Sequence, residues 1–151
     1  MDTIVGLNNQ QAIVTLVERS TNRLFIKKLK HGKDSAELAN TVIRMLRPFK
    51  DCIYSITTDN GSEFAAHKKI SKAIGTNVYF TDPYSSWQKG AIENANGLIR
   101  QYIPKGMSFK DFSDDQIKSI QDKINSRPRK KLSFVSPNEC FTKKIIKYAQ
   151  V

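Results

Sequence analysis

Ile53-Tyr54-Ser55-Ile56-Thr57-Thr58-Asp59-Asn60-Gly61-Ser62-Glu63-Phe64 is the stretch on which the reading of this chain turns. An apolar, β-branched run ends in a carboxylate, and Asn60-Gly61 then reverses the chain. Asp59 is therefore expected at the C-terminal end of a strand, Ile53–Thr58. Turn chemistry alone would also place an Asp before Asn-Gly, so the surroundings decide. Glu93 stands with thirty-three residues between it and Asp59, near the start of an amphipathic helix and on its polar side. Asp2 opens another apolar stretch, Asp2-Thr3-Ile4-Val5. Three carboxylates from separate elements can form a hard oxygen cage suited to magnesium, which points to metal-dependent phosphodiester chemistry.

Upstream of this stretch, Asp2–Gly6, the nearly all-apolar Ala12–Val17 and Arg23–Leu29 read as three consecutive strands, the second buried on both faces. The period then changes. Leu38, Val42, Leu46 and Phe49 recur at helical spacing, with Asp34 and Glu37 resembling a capping box, over about residues 35–48. Downstream, Asn60 with Glu63 could cap a second helix that Gly75 ends, and Asn77–Phe80 is a short fifth strand. After a loop at Asp82–Ser86, Trp87, Ala91, Ala95, Leu98 and Tyr102 form one apolar stripe, with Asn96 and Arg100 on the face of Glu93. Ser113 with Gln116 opens a fourth helix, and Ser136-Pro137-Asn138-Glu139 a fifth. Between them runs a basic connector, Asn125-Ser126-Arg127-Pro128-Arg129-Lys130-Lys131. The order βββαβαβα predicts an α/β fold with a mixed five-stranded sheet flanked by helices.

The 151 residues carry a formal charge of +11 and are most simply one domain. Residues 100–151 hold twelve Lys or Arg against five acids, so the C-terminal third is the more basic. A polyanion is the expected partner, and nucleic acid fits better than a membrane surface because no basic helix carries a continuous apolar face. Cys52 and Cys140 are isolated, which indicates neither a zinc site nor a disulfide framework. No apolar run approaches a membrane span and no signal peptide is visible, so a cytoplasmic location is expected.

With Asp59–Phe64 and Asp82-Pro83-Tyr84-Ser85-Ser86-Trp87-Gln88-Lys89-Gly90-Ala91-Ile92-Glu93-Asn94 in view, the chain resembles the integrase-like catalytic core of bacterial DDE transposases, of the insertion-sequence-thirty type. Asn125–Leu132 and Ser136–Phe141 match the closing motifs of that family, so the resemblance covers essentially residues 1–151. It implies a ribonuclease H-like fold in which Asp2, Asp59 and Glu93 are catalytic and hold two Mg²⁺ or Mn²⁺ ions. Asp2 would bridge both ions. It further implies cleavage at the 3′ ends of an element and transfer of those ends into target DNA, with transposon ends and target as partners and a homodimer or higher oligomer as the assembly. Family members carry a few residues before the first acid and a sequence-reading N-terminal region, so residues 1–151 look like a core excised from a longer chain.

The candidate DNA-holding residues are Lys89, Asn96, Arg100, Arg127, Arg129, Lys130 and Lys131. Plainer readings stand beside several of the candidates. Glu93 could pair with Lys89 at i−4, the connector could be a solubilising loop, Glu63 is better suited to capping its helix than to binding metal, and Trp87 better suited to the core than to stacking on a base. For the whole, the alternatives are a stand-alone ribonuclease H-like nuclease and a DNA-binding or assembly module with inert acids.

Overall fold

β1 (Asp2–Val5), β2 (Ala12–Glu18) and β3 (Arg23–Leu29) form an antiparallel meander, with Asp2 opposite Thr15 and Ala12 opposite Leu29. β4 (Ser55–Thr58) and β5 (Asn77–Phe80) pair in parallel, Ser55 opposite Asn77. These are details of a computed structural model that describes residues 1–150; Val151, the last residue of the expected domain, lies outside them. The two ladders meet at one residue. The Met1 nitrogen donates to the Thr57 carbonyl, and the Met1 carbonyl accepts from Thr58 Oγ1 at 3.3 Å. The five strands thus lie in the order β3-β2-β1-β4-β5, with the β1–β4 contact confined to that junction.

β2 is buried from Ala12 through Leu16, so both of its faces need cover. Ala12, Val14 and Leu16 pack with Leu29 and Ile56 beneath α1 (Ser35–Leu46) and α2 (His67–Ile74). On the opposite face Ile13 packs with Ile4, Leu24 and Ile26 beneath α3 (Gly90–Arg100) and α4 (Asp114–Asn125). α5 (Pro137–Ala149) brings Phe141 against Phe25 and Phe49, with ring centroids 5.3 to 5.7 Å apart, and the Arg23 guanidinium lies 5.1 Å from the Phe141 ring. Among the described residues no helix is long and apolar enough to cross a membrane. Cys52 and Cys140 are both free thiols.

The helix starts follow their capping residues. Ser113 and Gln116 form a reciprocal capping box at α4, and Ser136 accepts from the Glu139 N–H at α5. Asp34 caps α1, but Glu37 turns away to accept the N–H groups of Lys30 and His31, so that box is half made. Gly75 closes α2 in the left-handed region, at φ +77°.

The expected Asn60–Glu63 cap is corrected by the structure. A short 3-10 turn spans Ser62–Phe64, α2 begins only at His67, and the Glu63 side chain is buried elsewhere. The stripe expected on α3 is corrected too. Trp87 lies before the helix and is exposed, Tyr102 lies beyond its end, and the buried line runs through Ala95, Ile99 and Ile103 with Asn96 beside it. That line is about a quarter-turn from the expected one at 100° per residue. The members of the expected stripe inside α3, Ala91, Ala95 and Leu98, already point along the expected line, so the choice of apolar residues and not the helix boundary turned the predicted face.

β3 is an edge strand, and its outward backbone groups are met by side chains of α4. The Asn125 amide is fully buried: it accepts from Leu24 N–H at 2.9 Å and donates to Leu24 C=O at 2.8 Å, mimicking a ladder partner. Gln121 accepts from Ile26 N–H at 2.8 Å. Near the same hairpin, burial raises the Glu18 carboxyl, but donors from Thr21, Lys144 and Ser20 outweigh it and bring the pKa to about 2. Asn125→Ala leaves both Leu24 backbone groups buried without a partner and should cost about 2–4 kcal/mol in urea denaturation. A loss below about 1 kcal/mol would show that water replaces the amide.

Candidate active site

Asp2 is the second residue of the chain and first of β1, and its register opposite Thr15 turns its side chain toward α3. One carboxylate oxygen accepts from Thr3 N–H at 2.8 Å, the other from Asn96 Nδ2 at 2.8 Å. The Asn96 carbonyl oxygen in turn accepts from the buried Thr15 hydroxyl at 3.0 Å. Asn96 thus has its orientation set on one side and sets that of Asp2 on the other. Asn96, expected among the DNA-holding residues, makes both of these contacts within the fold.

Asp59 follows the last residue of β4. Its Oδ1 accepts from Gly61 N–H at 3.0 Å, an Asx turn, and its Oδ2 lies 3.5 Å from Lys89 Nζ. Gly61 is needed for space, since a Cβ there would stand 2.4 Å from the Glu63 carboxylate and 3.1 Å from Asp59 Oδ1. Glu63 is almost fully buried and accepts from Thr3 Oγ1 at 2.7 Å and from Lys33 at 3.0 Å. Burial raises its carboxyl, and these donors more than reverse that, holding it below the usual range. Glu63 therefore ties the β4 turn to β1 from beneath.

Asp2 and Asp59 line one cavity of about 350 Å³, and the Met1 ammonium feels both charges. Burial pushes that ammonium down to about 6 even though both acids pull it up. Glu93 does not join them. It stands exposed on the first turn of α3, and among the described residues no group of three His, Cys, Asp or Glu converges closely enough to hold a metal ion. The turn before it carries Tyr84, fully exposed at φ +63°, and the exposed Trp87.

Of the cations expected on this surface, three are engaged in the fold. Arg100 donates to Val5 C=O at 2.9 Å and to Ile103 C=O at 3.4 Å, and its guanidinium lies 5.9 Å from the Phe109 ring. Helix α3 ends at Arg100, so the guanidinium curls back to carbonyls left without partners there and at the end of β1. Burial lowers its pKa. Arg127 stacks 5.3 Å from the Tyr102 ring and donates to its hydroxyl and to Gln101. Arg129 donates to Ile124 C=O at 2.9 Å, near the end of α4. Lys130 and Lys131 are exposed, and Lys89 faces Asp59. The signal that sequence reading missed for Arg100 and Arg129 was their short distance from a helix terminus, where carbonyls need donors.

The model of the integrase core domain family matches residues 1–86. The chain is 48% identical over 141 residues to the transposase for insertion sequence element IS4351 of Bacteroides fragilis, covering 93% of this chain and 43% of that protein. It is 39% identical over 136 residues to the transposase for IS1086 of Cupriavidus metallidurans, covering 90% and 40%, and 37% identical over 139 residues to the transposase for IS30A of Escherichia coli, covering 91% and 36%. The chain thus spans about two fifths of the length of these relatives. The crystal structure of the catalytic core domain of BIV integrase superposes with a TM-score of 0.73 at 17% identity, covering 98% of this chain and 95% of that one. The expected ribonuclease H-like α/β fold is thereby borne out.

The engagement of Arg100 has a direct consequence. Arg100→Met should lower stability by about 1–3 kcal/mol, because two carbonyls lose a charged donor, while affinity for a short DNA duplex stays within about twofold. Reduced duplex affinity in a variant of unchanged stability would return Arg100 to the surface role expected from its sequence position.

Proposed function

We propose that this chain, which belongs to the integrase core domain family, is the catalytic core of an insertion-sequence transposase that cleaves DNA at element 3′ ends and joins those ends to target DNA. The observation that carries this reading is the convergence of Asp2 and Asp59, from the ends of two separate strands, at the mouth of one cavity. Two further features support it: a glutamate, Glu93, follows on the next helix, and the chain is 48% and 37% identical to two insertion-sequence transposases.

Integrase and transposase relatives generally use divalent ions, and the residues here suit one. Both acids offer hard carboxylate oxygens, and Asp59 is about one-third exposed. Cationic charge is already drawn to Asp59, from Lys89 at 3.5 Å. In this reading Asp2, Asp59 and Glu93 hold Mg²⁺ or Mn²⁺. Two such ions, when bound, would activate water or a 3′-hydroxyl and neutralise charge on the departing oxygen.

The protein's own part is placement. Asn96 and Thr3 N–H fix the direction of the Asp2 carboxylate, and Gly61 N–H fixes that of Asp59. Lys89 exchanges Asp59 for a DNA phosphate when the substrate enters, which frees the Asp59 oxygen. Glu93 approaches through movement of the Asp82–Lys89 turn, whose hydrogen bonds to the rest of the fold are few and in which the Gln88 side chain bonds Asp82 within the same turn. Lys130 and Lys131 hold the flanking backbone from the connector. The unit is residues 1–151, acting in the cytoplasm as a homodimer or higher oligomer on element ends and target.

Asp59→Asn and Glu93→Gln should each lower Mn²⁺-dependent nicking of duplex DNA by at least about 100-fold while leaving duplex affinity nearly unchanged. Lys130 and Lys131 changed together to Ser should flatten the salt dependence of binding by about 2 units in the log–log slope. Wild-type nicking in either acid variant would end the metal-site assignment. Nicking with no joining of a pre-cleaved end would favour the stand-alone nuclease.

A further inference from the structure

Between α4 and α5 the basic connector closes in a tight turn whose backbone is strained. Ser133 and Phe134 both lie in the left-handed region, at φ +55° and +65°. A bulky side chain is out of place there, because its Cβ crowds the backbone, and glycine or asparagine would fill the position at less cost. Hydrogen bonds hold it nonetheless. Arg129 N–H donates to Val135 C=O at 3.1 Å, Phe134 N–H to Arg129 C=O at 2.8 Å, and Val135 N–H to Leu132 C=O at 3.1 Å. Leu132 and Val135 are half-buried, whereas Phe134 is 71% exposed. The strained backbone thus stands one aromatic ring in solvent.

The surroundings of that ring are cationic. Residues 125–136 hold Arg127, Arg129, Lys130 and Lys131 and no carboxylate. Lys130 and Lys131 are exposed just before the tip. At its base, burial lowers the pKa of Arg129 and the neighbouring Arg127 charge lowers it further. Like charges held close favour an anion beside them. A docking site for another protein presents a contiguous apolar patch; here a single ring stands among cations. That pairing fits a nucleic acid strand, whose bases stack on the ring while the lysines meet its phosphates.

Both ends of the connector are fastened to the tip of the β2–β3 hairpin. The Asn125 amide pairs with the Leu24 backbone, Asn138 accepts from the Arg23 guanidinium, and Asn138 Nδ2 reaches Ser126 Oγ at 3.5 Å. Leu24 lies opposite Val17, two residues beyond Thr15, the partner of Asp2. The turn is therefore anchored at the same end of the sheet as the two acids.

We propose that Phe134 is a stacking platform for an unpaired DNA base, on the strand whose phosphates Lys130 and Lys131 hold; this rests on the reading of the chain as a DNA-processing core. The backbone fixes the ring before DNA arrives, so little freedom is lost on contact. Bases inside an intact duplex have no free face to offer. The contact therefore selects frayed or single-stranded ends.

The test titrates the protein with a duplex bearing a short single-stranded overhang and with the same duplex whose overhang is abasic, which keeps the phosphates and removes the bases. The wild type should bind the base-bearing form at least about fivefold more tightly. Phe134→Gly should erase that preference, and so should Phe134→Asn, which also suits the left-handed backbone; Phe134→Trp should keep it. Both relieved variants should melt within about 2 °C of the wild type or above it, because strain is removed and little packing is lost. 2-Aminopurine in the overhang should be quenched by the wild type and not by Phe134→Gly. A preference for bases that survives in folded Phe134→Gly and Phe134→Asn would overturn the proposal, as would a wild type indifferent to bases. So would a wild-type dimer that Phe134→Gly converts to monomer, since the ring would then meet a second copy. Metal-dependent nicking alongside any of these results would leave the transposase reading standing, whereas a wild type that binds neither DNA would overturn both.

Discussion

A strand with no solvent face constrains everything around it. Five successive residues of β2, Ala12 to Leu16, are buried, so the sheet must be covered above and below, and two helical layers follow from that need. Covering both faces leaves the ends of the strands as the place where charged groups can meet water. Asp2 and Asp59 emerge there, one at the start of β1 and the other just past β4.

The polar groups near that end are ordered through the core. Thr15 is the one buried polar side chain in the inner run of β2, and its hydroxyl holds Asn96, which holds Asp2. On the other side Glu63, Thr3 and Lys33 brace the turn that carries Asp59. Two acids are therefore preset by hydrogen bonds, while Glu93 rides on a helix whose preceding turn is exposed. In the proposed reading, a preset pair completed by a third ligand from the next helix would let DNA and ions enter first.

Much of this was legible in the sequence, and the parts that were not share a cause. Capping residues announced α4 and α5, Gly75 ended α2, and β5 came out as Asn77–Phe80 because each signal is local. Asp59 at a strand end was legible for the same reason. The orientation of α3 was not, since Ala91 and Leu98 read as apolar as Ala95 and Ile99, and only the fold shows which of them are buried. The fate of the arginines was not either. Arg100, Arg127 and Arg129 read as free charge in one dimension, and only the fold shows the carbonyls and rings that claim them. Near the connector Arg127 and Arg129 are half-buried, while Lys130 and Lys131 are exposed. The split between the ladders was likewise invisible, because strand propensity does not report how far a neighbour extends.

The claim on which the account rests is that Asp2 and Asp59 form a preset half of a metal site that Glu93 completes. A crystal structure of the protein soaked in Mn²⁺, with anomalous density to locate the ion, tests it most directly. The account predicts density between Asp2 and Asp59, Lys89 displaced from Asp59, and the Glu93 carboxylate drawn to about 2–2.5 Å from an ion. Density elsewhere on the molecule, or none between the two acids at saturating Mn²⁺, would contradict it.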